Sequence, residues 1–250
     1  LGPVVATALA GIFMATFVLV GGGWSGAWTW RLVIPHLRAA GHEVLPLTLT
    51  GLGDKSHLLA RDVDLDTHIA DIVNALRWNE LHDVVLVGHS YGGAPVTGAA
   101  DRAPERIASL VYLDAFMPRD GESLLDIMAA DRRQQVEETV AKNGEGWKLP
   151  RIHSPAFVVH GLPECEAEVQ RLATPHPFAT FKTKLRLTGA GRAIARKTYV
   201  VARDYDPSPM HGFAERCRAE GGWTVTDIDC HHMLQYFRPR KTAELLLAAA

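Results

Sequence analysis

Six short runs of β-branched and apolar residues, at 16–20, 43–49, 84–87, 107–113, 198–202 and 223–228, are separated by stretches long enough to hold helices. Between the second and third runs, Ile69, Ile72, Val73 and Leu76 fall on one face of a helix predicted over 66–78, opened by an Asp/Thr start signal. Strands that alternate with helices need crossover connections, and crossovers build a mostly parallel sheet with both faces covered. The pattern predicts an α/β fold: a sheet of about six strands flanked by helices.

One interval breaks the alternation. Residues 117–192 contain polar helical stretches such as 134–142, and loops punctuated by Pro150, Pro155, Pro163, Pro175 and Pro177, but no convincing strand. A structureless loop of that length does not fit a compact domain. The interval is therefore read as a mainly helical cap, inserted into a core made of 14–116 and 193–250. Residues 4–20 form an apolar run, but no Lys or Arg precedes it, and its second half leads directly into Gly21-Gly22-Gly23 as a buried strand would. Residues 1–13 are taken as an appendage, native or not, and as a soluble extension rather than an anchor.

The composition narrows the function. At 250 residues and 47% hydrophobic the chain can bury a substantial core. A formal charge of −2 leaves no basic surplus to grip phosphate backbones or anionic lipid, so a nucleic-acid partner is not expected and a membrane is disfavoured. Cys165, Cys217 and Cys230 form no C-x-x-C pair, which indicates neither a disulfide framework nor a thiolate metal site. A cytoplasmic location is the default expectation; secretion or anchoring would depend on residues 1–13.

The chemistry-bearing motif follows the third run. Gly88-His89-Ser90-Tyr91-Gly92 is a G-x-S-x-G that turns out of a strand into small residues, Gly93, Ala94, Gly98 and Ala99, suited to a helix packed close on a sheet. Composition alone would yield only about 0.05 such matches in this chain. A serine hydroxyl needs an adjacent base, itself oriented by a carboxylate. In this architecture the base sits after the last strand, where Cys230-His231-His232-Met233 lies. His89 packs or orients within the elbow, and His36, His57 and His176 are assigned to the surface or to structural roles. Two acids compete: Asp204 after the fifth strand and Asp114 at the end of the fourth, with Asp206 a weaker third.

The stretches Phe17–Trp30, Gly88–Gly93, Ala115-Phe116-Met117-Pro118 and His232-Met233 with Pro239 resemble the α/β-hydrolases. They are most similar to the compact branch of plant methylesterases, such as the salicylate-binding esterase, with hydroxynitrile lyases and bacterial pyrethroid-type carboxylesterases. The resemblance implies Ser90 as nucleophile and His232, rather than His231, as base. The 28 residues from Asp204 to His232 match the branch's usual interval and favour Asp204, with Asp114 as the alternative that could instead brace the cap hinge. It also implies oxyanion donors in the backbone N–H groups of Gly23 and Tyr91. The sequence departs from the branch where its first turn commonly reads His-Gly and this chain has Gly21-Gly22, which leaves open what holds that turn.

The expected reaction is hydrolysis of small to medium hydrophobic esters through an acyl-enzyme, with no metal or organic cofactor. Trp24, Phe116 and Met233 are the expected substrate pocket; Trp28, Tyr91 and Phe237 stand nearby, and Trp147 and Phe178 are available from the cap. Trp28 and Trp30 read equally well as core. Hydroxynitrile cleavage is disfavoured because Met233 and Gly22 stand where lyases of the branch carry Lys and Thr. Lipase or lactonase activity and a non-catalytic small-ligand receptor are the alternatives, since fold does not settle function. The reading leaves a homodimer open as the only macromolecular partner.

Overall fold

The computed structural model describes residues 14–151, 162–205 and 208–250. The appendage expected over 1–13 and the third candidate acid, Asp206, lie outside the described residues.

The chain enters through β1 (Thr16–Val20), passes a 3-10 turn at Ala27–Trp30 and helix α1 (Ile34–Ala39), and returns as β2 (Glu43–Leu47). Helix α2 (Leu65–Trp78) leads to β3 (Val84–His89), and α3 (Gly93–Arg102) leads to β4 (Ile107–Leu113). The start signal at α2 is a capping box: the Asp64 side chain accepts the Thr67 N–H, and the Thr67 hydroxyl accepts the Asp64 N–H. Its buried face is Leu65, His68, Ile69, Ile72 and Leu76.

The segment after β4 carries α4 (Ala130–Asn143), β5 (Lys148–Leu149), α5 (Pro163–Leu172), β6 (His176–Pro177) and α6 (Ala179–Lys182). Here the structure adds two strands that the sequence did not announce. β5 and β6 pair antiparallel, Leu149 opposite His176, and two residues each are too few to show a period-2 pattern. The chain then re-enters the sheet as β7 (Arg196–Ala202), followed by α7 (Met210–Glu220), β8 (Thr224–Ile228), α8 (Leu234–Phe237) and α9 (Pro239–Ala248).

Six strands form one parallel sheet in the order β2-β1-β3-β4-β7-β8, with β3 and β4 at its centre. All six residues of β3 are buried, because both faces of the sheet are covered. Val84 and Leu86 enter the core on one face with α2 and α3, and Val85 and Val87 enter the core on the other with α1 and α9. Every strand of this sheet points its carboxyl end the same way, so the loops after β1, β3, β4, β7 and β8 converge on one rim. Among the described residues, no helix is long and apolar enough to cross a membrane.

Candidate active site

At the end of β3 the backbone of Ser90 adopts φ 54°, the left-handed region that a residue with a Cβ enters only under constraint. The constraint is close backbone packing. A Cβ on Gly92 would lie 2.6 Å from the Gly21 carbonyl oxygen, and one on Gly93 would lie 2.1 Å from that of Phe116. Only glycine lets the first turn, the elbow and the end of β4 approach so closely. Ser90 is 5% exposed, and its carbonyl accepts the Phe116 N–H at 3.0 Å.

Ser90 Oγ lies 2.9 Å from His232 Nε2, and His232 Nδ1 lies 2.5 Å from Asp114 Oδ2. The carboxylate can only accept, so Nδ1 carries the proton and Nε2 is left to accept the serine hydroxyl. Asp114 is fully buried, and its second oxygen accepts the Ala202 N–H at 3.1 Å. Both of its oxygens are therefore satisfied, as a buried carboxylate requires. His89 braces the base: its Nε2–H donates to the His232 carbonyl at 2.9 Å, and the Gln235 amide donates to its Nδ1 at 3.4 Å. Burial, helped by the neighbouring His232 ring, pushes the His89 pKa down to about 3 and keeps it neutral.

The two competing acids separate here, in the opposite order to the sequence expectation. Asp204, favoured on spacing, is exposed beyond β7, with its N–H donating to the Cys230 carbonyl at 3.2 Å. The reason lies in strand order. β4 is hydrogen-bonded directly to β3, with Leu113 opposite His89, so the next residues on the two strands are Asp114 and Ser90. β7 is one strand further out. Of the paired histidines, His232 faces the serine, whereas His231 packs its ring against Tyr205 and Phe237.

The glycine turn after β1 lies over the serine. A Cβ on Gly22 would stand 3.1 Å from Ser90 Cβ and 3.5 Å from Ser90 Oγ, and one on Gly23 would stand 3.7 Å from Tyr91 Cβ. The two expected oxyanion residues, Gly23 and Tyr91, are thus neighbours across the elbow, and both are buried. Of the expected pocket residues, Trp24 and Met233 line a narrow crevice with Gly22, Gly23, Trp28 and Arg151. Phe116 does not line it and instead packs edge-on against Phe213. Trp28 packs against the cluster of Met233, Val169 and Tyr236, and Trp30 is fully buried in the core. A wider cleft of about 550 Å³, lined by residues including Tyr112, Arg216 and Trp223, includes none of Ser90, His232 and Asp114.

Two site residues escaped the sequence reading. His68 sits on the buried face of α2; its Nε2–H donates to the Thr50 carbonyl at 2.8 Å, and its Nδ1 accepts the Tyr91 hydroxyl at 2.7 Å. A histidine on an apolar helix face was the available signal, although such a residue usually serves the core alone. His176, assigned above to the surface or to a structural role, is fully buried against the glycine turn after β1. Burial lowers the pKa of both, that of His68 to about 4. Nothing around His176 in the sequence marks it, since its contacts are made across the fold.

Residues 17–245 match the Alpha/beta hydrolase family. The chain belongs to that family. This hydrolase is 38% identical over 240 residues to a carbendazim hydrolyzing esterase from Nocardioides sp. (strain SG-4G), covering 94% of this chain and 99% of that protein. It is 35% identical to polyneuridine aldehyde esterase from Rauvolfia serpentina, covering 92% and 94% of the two chains. Among solved structures, an extracellular alpha/beta-hydrolase from a Paenibacillus species superposes with a TM-score of 0.83 at 24% identity, over 94% of this chain and 99% of that one. This hydrolase is of the carboxylic-ester type.

Proposed function

We propose that the chain hydrolyses small to medium hydrophobic carboxylic esters by acyl transfer through Ser90, His232 and Asp114. The observation that carries this reading is the unbroken chain of hydrogen bonds Ser90 Oγ, His232, Asp114, at 2.9 and 2.5 Å. His232 Nε2 takes the Ser90 proton as Oγ bonds to the ester carbonyl carbon. The negative charge that forms on the carbonyl oxygen is met by the N–H groups of Gly23 and Tyr91. The tetrahedral species collapses, the ester C–O bond breaks, and the Nε2 proton passes to the departing alkoxide. Water then gives a proton to His232 and attacks the acyl-enzyme, which releases the acid and restores Ser90. Asp114 stays ionised throughout, holding the tautomer and balancing the imidazolium.

The apolar side chains of Trp24, Trp28 and Met233 beside the glycine turn support a hydrophobic ester, and the segment 117–192 is read as the cap that shapes its site. The test is a panel of p-nitrophenyl and methyl esters of graded acyl length, together with carbendazim, run on the native chain and Ser90→Ala. Turnover that peaks at short or middle chain lengths, and falls at least about 10⁴-fold in Ser90→Ala, is expected. Hydrolysis unaffected by Ser90→Ala would falsify the serine mechanism.

A further inference from the structure

The first turn holds Trp24 at φ 61°, a left-handed conformation that a bulky residue does not keep without restraint. Among the described residues, three hydrogen bonds to it come from the segment inserted between β4 and β7. The Trp24 N–H donates to His176 Nδ1 at 3.2 Å, its carbonyl accepts the Thr174 N–H at 2.9 Å, and its indole N–H donates to the Leu149 carbonyl at 2.9 Å. Because Nδ1 accepts, the ring proton of His176 sits on Nε2, which donates to Thr180 Oγ1 at 2.9 Å; Thr180 in turn donates to the Pro177 carbonyl at 2.8 Å. The tautomer is therefore set by a relay that ends on a backbone carbonyl.

The same ring touches the other half of the site. His176 packs edge-on to the Tyr91 ring with centroids 4.5 Å apart, and a Cβ on Gly23 would lie 3.7 Å from its Nδ1. His176 thus stands between the residue after Gly23 and the side chain of Tyr91, the two residues whose amides are read as oxyanion donors. No histidine stands at Gly21 or Gly22 to hold the turn from within.

We propose that His176 is the positioning residue of the oxyanion turn: by accepting the Trp24 N–H it fixes the peptide that follows Gly23, and so the aim of the Gly23 amide. This rests on the serine-esterase reading above. A restraint on an oxyanion donor acts on the tetrahedral state more than on the bound ester, so its loss lowers kcat and spares KM.

The experiment compares His176→Leu, which keeps bulk and removes the acceptor, with His176→Asn, whose Oδ1 can accept near the place of Nδ1. Hydrolysis of p-nitrophenyl butyrate is read per active site titrated by the p-nitrophenol burst, alongside inhibition by phenylboronic acid, whose tetrahedral adduct needs the same donors. In His176→Leu, kcat is expected to fall about 10- to 100-fold, with KM within threefold and boronic acid inhibition weakened in step; His176→Asn recovers most of the loss. A folded His176→Leu with native kcat, or His176→Asn as impaired as His176→Leu, overturns the proposal. Should His176→Leu fail to fold, Thr180→Val is read instead: it removes the acceptor that sets the tautomer, and native kcat there overturns the proposal equally. Ser90→Ala runs in parallel, so that persistent hydrolysis in that variant identifies failure of the serine mechanism rather than of the histidine's role.

Discussion

The carboxyl ends of β4 and β7 each present an aspartate to the rim where the loops converge, yet they differ in almost every physical respect. At β4 the strand pairs directly with β3, and Asp114 follows it fully buried, at φ 42°, with one oxygen on His232 and the other on a backbone N–H. At β7 the chain continues two residues past the strand into solvent, and Asp204 offers its backbone, not its carboxylate, to the β8 loop. The difference teaches that lateral position in the sheet decides which acid meets the base. Asp114 is next to the elbow because β4 is next to β3; the sequence interval to the histidine carries no such information.

The sharpest way to break this contrast is to neutralise each acid in turn. Asp114→Asn should lower kcat by about 10³- to 10⁴-fold, because the amide no longer selects the tautomer that leaves Nε2 free. Asp204→Asn should stay within about threefold of native, as expected for an exposed side chain away from the base. Ester kinetics measure both, and the reverse pattern would restore Asp204 as the acid. The same loop offers a second comparison: His232→Ala should abolish turnover, whereas His231→Ala, which alters the contacts to Tyr205 and Phe237, should cost less than tenfold.

The packing at the two ends can be tested through stability. In Gly93→Ala the new Cβ would meet the Phe116 carbonyl oxygen at 2.1 Å, so the elbow helix must shift from the end of β4, at a cost of about 2 kcal/mol or more. Gly212→Ala in α7, where a Cβ meets nothing within 4 Å, should stabilise by about 0.5–1 kcal/mol. Urea unfolding distinguishes the two, and a tolerated Gly93→Ala would show that the elbow is less tightly held than its distances imply.

The remaining expected effect is on pH dependence. His68 and His89 are held neutral by burial, with pKa values lowered to about 4 and about 3. The unfolded chain takes up protons on these groups near pH 6.5 and the folded one does not, so their contribution is complete above about pH 6.5. It is lost as pH falls from there toward 4 and 3, with a slope of at most about 1.4 kcal/mol per pH unit for each histidine. Unfolding free energies at pH 7, 6 and 5 check this; a flat profile would mean that one or both rings are protonated in the folded state.

Much of this molecule is written locally. The strands at β1 and β4 coincide with the apolar runs at 16–20 and 107–113, because a strand buried on both faces must be apolar throughout. Ser90 was legible because a strained strand-to-helix turn demands glycines at fixed neighbours, and His232 because the last strand delivers its loop to the same rim. The carboxylate that meets His232 was not legible. Two aspartates at two strand ends are equivalent until the lateral order of the strands is known, and that order is set by pairing between residues far apart in sequence. His176 is the extreme case: it lies between Pro175 and Pro177 on a two-residue strand, 152 residues from the amide whose N–H it accepts. Thus the chain by itself determined the α/β architecture and singled out the proposed nucleophile and base, which depend on periodicity and on one tight turn. Tertiary structure alone decided which carboxylate meets His232 and which buried histidine meets the first turn, because both contacts depend on which backbones lie side by side.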